Sequence, residues 1–289
     1  MPTVRFGACL GHFEASMKNR ELPFLVLLAL PVVIVALAFF LLPLVRLAMI
    51  AGSGEDGLSA YLAVITTPRY FESLIATTLL SAGVTFTTLA ISAVSGLFLE
   101  RNSFPGRDLL VSLLTFPLAF PGVVVGFMVI MLAGRQGLIG EITKFLTGDK
   151  LVFAYSMAGL FVGYIYFSIP RVILTIMAAA EKLDPALEEA ARSLGASPWR
   201  VTRDVILPAL KPAFIASGAI AFATAMGAFG TAFTLATNID VLPMTIYTEF
   251  TLRANIAMAA ALSIVLGVIT WLALTVSRSM AGSTVAAAG

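Results

Sequence analysis

The side chains with chemical potential crowd into one stretch of this chain. Glu181, Lys182, Asp184, Glu188, Glu189, Arg192 and Arg200 fall within twenty positions, between two long apolar runs. The acids and bases do not form a clustered catalytic constellation. They alternate with Leu183, Leu187, Ala190, Ala191 and Leu194 at three-and-four spacing, which puts a narrow apolar stripe on a charged helix. Such a face suits docking against another surface. Cys9 is the only cysteine and His12 the only histidine, so neither a disulfide framework nor a Cys/His metal centre can be assembled within the chain. No Gly-x-x-x-x-Gly-Lys-Ser/Thr phosphate loop occurs either, so the sequence carries no phosphate cradle of that type.

The polar stretch carries its own structural instructions. Asp184 before Pro185 predicts a helix start, with a carboxylate to cap free amides and a proline where no N–H is needed. Glu188 and Glu189 then sit in the first turns, where the helix dipole favours anions. Gly195 is the predicted stop, where a left-handed turn is required. Ser197 and Pro198 repeat the start signal for a short segment through Ile206, ending at Leu207-Pro208. The pattern is therefore helix, glycine turn, helix. A solvated connecting hairpin is the plain alternative, but two capped starts and an apolar stripe outside the membrane favour docking.

The elements that must position this loop are written in the composition. Hydrophobic residues make up 59% of the chain and charged residues 12%, with a mean hydropathy of +0.99. Soluble domains carry about 25% charge, so this is an integral membrane protein. Six segments supply the roughly 20 apolar residues that a helix needs to cross the hydrocarbon core: 24–50, 74–99, 109–133, 152–180, 213–237 and 256–277. None shows the alternation of a membrane barrel strand. The predicted fold class is all-α, a polytopic membrane helical bundle of about six transmembrane helices with a helix-turn-helix loop. Ala36-Leu37-Ala38 resembles a signal cleavage site, yet the apolar run continues through Leu42, which marks an uncleaved first span. Prolines 31, 43, 117, 121 and 170 lie inside the runs and predict kinks.

Lys and Arg number 3, 2, 5 and 1 in the amino-terminal segment, the 100–108 loop, the 181–212 loop and the carboxyl tail. The three intervening loops hold 1, 3 and 1. The positive-inside rule then places both termini and the long polar loop in the cytoplasm. The organisation reads as a cytoplasmic segment 1–23, a membrane domain 24–277 with its loop at 181–208, and a cytoplasmic tail 278–289. A net charge of +2, spread over short loops, gives no basic stripe for nucleic acid.

With these residues in view, the chain resembles the membrane subunits of ATP-binding-cassette importers. Their loop carries Glu-Ala-Ala, three residues, Gly, nine residues, then Ile-x-Leu-Pro, matched here by Glu189-Ala190-Ala191, Gly195 and Val205-Ile206-Leu207-Pro208. Only Val205 departs. The resemblance implies a type I permease of a bacterial inner membrane whose coupling helix docks on an ATPase. The residues expected to couple are Asp184, Glu188, Glu189, Ala190, Ala191, Arg192, Gly195, Ser197, Trp199, Arg200, Leu207 and Pro208, with Arg192 and Arg200 at the polar rim. It further implies two cytoplasmic ATPases that hold the ATP and Mg, a second permease, identical or different, and an external solute-binding protein. No catalysis and no cofactor are expected in this chain itself. Lys182-Leu183-Asp184-Pro185 and Phe120-Pro121-Gly122 look most like polyamine permeases, within a cluster that includes ferric-iron and aminoethylphosphonate systems. Amino-acid-like solutes are a further alternative.

Candidates for the solute path lie inside the spans, where an ionisable group is costly and faces a cavity or partner. Arg171 follows Pro170 in the fourth segment; it either snorkels or caps a proline-freed carbonyl, or serves a cavity or gate. Thr224, Phe229, Thr231 and Thr234 in the fifth segment suit helix packing and path lining equally. Asn238, Asp240 and Glu249 follow at the external end, Glu249 being expected as a solvated carboxylate or a cation attractor. Gly122–Gly126 and Gly159–Gly163 fit the Gly-x-x-x-Gly contact pattern. The competing class, a stand-alone secondary transporter or channel, predicts inverted repeats and a buried coupling carboxylate within the spans, and the sequence shows neither.

Overall fold

The computed structural model describes residues 27–54, 57–235 and 239–281 and is helical throughout, with no strand among the described residues. The expected segment 1–23 lies outside them, as do tail residues 282–289 and Asn238. Helix α1 is Leu27–Gly52, and its most apolar stretch is unburied by the rest of the chain. A short α2 (Ser59–Thr66) leads through extended Thr67 into α3, Pro68–Arg101. At 1.5 Å per residue α3 is about 50 Å long, well beyond a hydrocarbon core of about 30 Å. Its ends project.

The third apolar run does not form one helix. It divides into α4 (Arg107–Thr115), a 3₁₀ turn at Phe116–Ala119, an extended Phe120-Pro121 step and α5 (Gly122–Ala133). Pro117 and Pro121 account for the division, since each removes an amide donor and Pro121 forces the residue before it out of the helical region. A further helix, α6 (Leu138–Thr147), continues the crossing beyond a turn at Gly134–Gly137, so that 122–147 has the length and composition of a span. The fourth span is α7, Met157–Glu181, with Pro170 inside it.

The loop follows as α8 (Pro185–Ser193), then α9, Pro198–Met226. Sequence reasoning placed a stop at Leu207-Pro208, but α9 runs through it. A π-turn at Thr202–Ile206 precedes Pro208 and relieves the clash of the proline ring with the preceding turn. The expected fifth span, 213–237, is also corrected. The helix ends at Met226, and α10 (Phe229–Leu235) starts after a break at Gly227-Ala228. Helix α11 (Leu242–Tyr247) continues as a π-turn through Leu252, and α12 is Ile256–Ala281.

The main core gathers α3, α5, α7 and α10 around Val84, Val129, Leu160, Tyr164 and Leu235. A second cluster joins α1, α2, α3 and α12 through Ala51, Val64, Leu74 and Leu262. Gly122 and Gly126 are seams within the subunit: a Cβ at Gly122 would meet Thr231 at 3.1 Å, and at Gly126 it would meet Thr234 at 2.6 Å. The close α5–α10 approach requires glycine there.

Candidate functional site

The polar loop folds as its caps dictate. Asp184 Oδ1 accepts from the Ala186 amide at 2.9 Å with Pro185 in the first turn. Gly195 takes φ of +82°, and the Ala196 amide donates to the Ala191 carbonyl at 3.0 Å, closing the helix end. A Cβ at Gly195 would meet open space, so the demand for glycine is conformational. Ser197 Oγ accepts from the Arg200 amide at 3.4 Å.

The expected apolar stripe is split between two surfaces. Leu183, Ala191 and Ala196 pack inward against Ala180, Val201, Ile206 and Leu210. Leu187, Leu194 and Trp199 face outward at 56%, 89% and 69% exposure, with Ala190 and Glu189 also exposed. That outward set is an apolar patch on a charged element with no cover among the described residues.

Glu188 is turned inward, its side chain 13% exposed. Arg101, the last residue of α3, grips both carboxylate oxygens, with Nη1 donating to Oε2 at 2.9 Å and Nη2 to Oε1. Arg192 Nη2 lies 3.5 Å from Oε2, so this arginine faces its own helix as well as the rim. Sequence reasoning missed Arg101. Nothing local marks a partner 87 positions away.

Of the path candidates, Arg171, Thr224 and Thr231 converge on one cavity of about 280 Å³, together with Phe120, Gly122 and Phe167. Arg171 Nη1 donates to Thr224 Oγ1 at 3.1 Å. Thr224 Oγ1 in turn donates to the Ile220 carbonyl at 2.7 Å. Thr231 donates to the Gly122 carbonyl at 2.9 Å and Thr234 to Gly230 at 3.0 Å, so these two hydroxyls pin α10 to its own turn and to α5. Tyr164 braces the Gly227-Ala228 break by donating to the Ala228 carbonyl at 2.5 Å. Phe229 stands beside the cavity and packs on Phe233 and Tyr247 at centroid distances of 5.3 and 5.4 Å.

Asp240 is exposed and lines no part of this cavity. Glu249 departs most from expectation. It is 1% exposed, with Arg253 Nη1 donating at 3.0 Å, Arg69 Nη1 paired by charge at 3.9 Å and the Tyr70 phenol against it. A carboxylate already neutralised by two guanidinium groups is neither solvated nor a cation attractor.

Six apolar helices, a cavity between broken helices and an uncovered polar loop define a polytopic membrane permease. The chain belongs to the family described as binding-protein-dependent transport system inner membrane component, which matches residues 89–283. It is 33% identical over 222 residues to the molybdenum transport system permease protein ModB of Escherichia coli K12, covering 75% of this chain and 96% of that protein. It is 36% identical over 203 residues to the sulfate transport system permease protein CysT of the same organism, covering 69% and 70%. A putative 2-aminoethylphosphonate transport system permease protein, PhnU of Salmonella typhimurium, is 30% identical over 244 residues, covering 82% and 85%. The fold resembles a chain of a bacterial alginate ABC transporter crystallised with an alginate-bound periplasmic protein, with a TM-score of 0.76 at 18% identity, covering 92% and 96%.

Proposed function

We propose that this chain is the permease subunit of an ATP-driven importer in which α8 and the start of α9 dock on a cytoplasmic ATPase. The observation that carries this reading is the outward set Leu187, Leu194 and Trp199 on a doubly capped helix-turn-helix. Two ATPases, which hold ATP and Mg, a second permease and an external binding protein complete the machine. Both termini and the loop face the cytoplasm, as the distribution of Lys and Arg indicates. ATP binding draws the ATPases together, the loops follow, and the kinked spans reorient the cavity.

The cargo separates two readings. The residues around Asp184 and Pro121 look like those of polyamine permeases, whereas the relatives just described are named for molybdenum, sulfate and 2-aminoethylphosphonate. A guanidinium in the cavity opposes a polycation.

The importer reading is tested by co-purification of the chain with its ATPase from membranes. The complex is expected to be lost on Gly195→Asp, which forces a side chain into the left-handed region. Full solute transport by the purified chain alone, without ATP, sinks the proposal.

A further inference from the structure

We infer that the cavity beside Arg171 binds a tetrahedral oxyanion, with the guanidinium as the recognition group and Thr224 as the residue that aims it. This deepens the permease reading and rests on it. Arg171 lies ten residues from the end of α7 at Glu181, about 15 Å along the helix. That is too deep for its charge to be explained by a position at the helix end.

A guanidinium at membrane depth needs an acceptor. Among the described residues the Arg171 side chain makes one hydrogen bond, from Nη1, and the acceptor is a neutral hydroxyl. Four of its five N–H donors are thus available to a ligand in a planar fork that matches two oxygens of a sulfate, molybdate or phosphonate group. Thr224 has committed its proton to Ile220, so it can only accept from Arg171. That bond fixes the direction of the fork without consuming the ligand's acceptors.

The surroundings select charge sign. Among the described residues the lining contains no carboxylate, and Arg171 is its one ionised residue. An amine would therefore meet a like charge with no counter-ion. Helix α5 begins at Gly122 on the cavity wall, so the positive end of its dipole lies at that wall. About 280 Å³ holds one small oxyanion with part of its hydration shell, while Phe120 and Phe167 keep the remaining wall apolar. A weak, partly hydrated site of this kind lets the ion pass.

The test reconstitutes the full importer, this chain with its partner permease, ATPases and binding protein, in proteoliposomes. ATP-dependent uptake of sulfate, molybdate, 2-aminoethylphosphonate and spermidine is measured separately. At least one oxyanion is expected to enter and spermidine is not. Arg171→Met is expected to cut that uptake about tenfold to a hundredfold, as loss of a charge-assisted pair does, and Arg171→Lys to retain an intermediate rate because it keeps the charge and loses the fork. Thr224→Val, which preserves shape, is expected to weaken uptake less than Arg171→Met. Size-exclusion of each variant with its ATPases reports assembly. Spermidine uptake, transport of none of the three oxyanions, or oxyanion uptake indifferent to Arg171→Met overturns the inference and leaves the permease reading standing. A wild-type chain that recovers no ATPase overturns both.

Discussion

The two ends of α3 are held by the same chemistry in different surroundings. At one end Arg69 joins Arg253 around a fully buried Glu249. Buried hydroxyls add to it: Ser73 bonds Thr245 at 2.8 Å, and Thr77 Oγ1 accepts from the Leu242 amide at 2.7 Å. At the other end Arg101 grips Glu188 on α8 with side-chain exposures of 33% and 13%, and Arg192 stands at the edge. The first arrangement ties α3 to α11 inside the fold. The second ties it to α8, the loop helix proposed to dock on the ATPase, through one ion pair near water. Burial makes the first pair expensive to break and leaves the second able to exchange, which suits an anchor at one end and a link at the other.

The sharpest way to break this comparison is to strand the buried carboxylate. Replacing Arg69 and Arg253 together by alanine leaves Glu249 without a cation and is expected to destabilise the chain by about 3 kcal/mol, read as a fall in thermal unfolding midpoint in detergent. Glu249→Gln is expected to do less, since Arg69 and Arg253 are 36% and 52% exposed and can be hydrated once the carboxylate is gone. Equal losses for the two variants would mean that burial of Glu249 is not what matters.

The next effect is at the link. Arg101→Ala is expected to change stability by about 1 kcal/mol or less and yet to lower transport per ATP hydrolysed in the assembled importer. The reversed pair, Arg101→Glu with Glu188→Arg, is expected to restore part of that ratio. A stability loss as large as that of the stranded Glu249 would erase the distinction between anchor and link. Smallest is Arg192→Ala, which removes a 3.5 Å exposed partner and is expected to shift stability by about 0.3 kcal/mol, near the limit of a careful unfolding measurement.

What could be read from the sequence were features whose causes are local. The six apolar crossings follow from hydropathy and length, and the loop from Asp184, Pro185, Gly195, Ser197 and Pro198, each of which acts through its own backbone or a neighbour within four residues. The same locality misled at Leu207-Pro208, where a π-turn accommodates the proline, and across 109–133 and 213–237, where hydropathy passes smoothly over breaks at Phe120-Pro121 and Gly227-Ala228. Hydropathy registers burial in lipid but not the path of the backbone. Among the path candidates, residue type could not separate Arg171, Thr224 and Thr231, which the fold brings to one cavity, from Asp240 and Glu249, which it places elsewhere.

By itself, then, the sequence determined that this chain crosses a membrane as helices and carries a capped, outward-facing loop, because hydrophobic transfer and backbone conformation are decided within a few residues. Only the tertiary structure decided that Glu188 belongs to Arg101, that Glu249 is an anchor and that Arg171 bonds Thr224 on the wall of a cavity. Those pairings join residues far apart in the chain, and charge complementarity alone allows many partners until packing brings one of them within hydrogen-bonding distance.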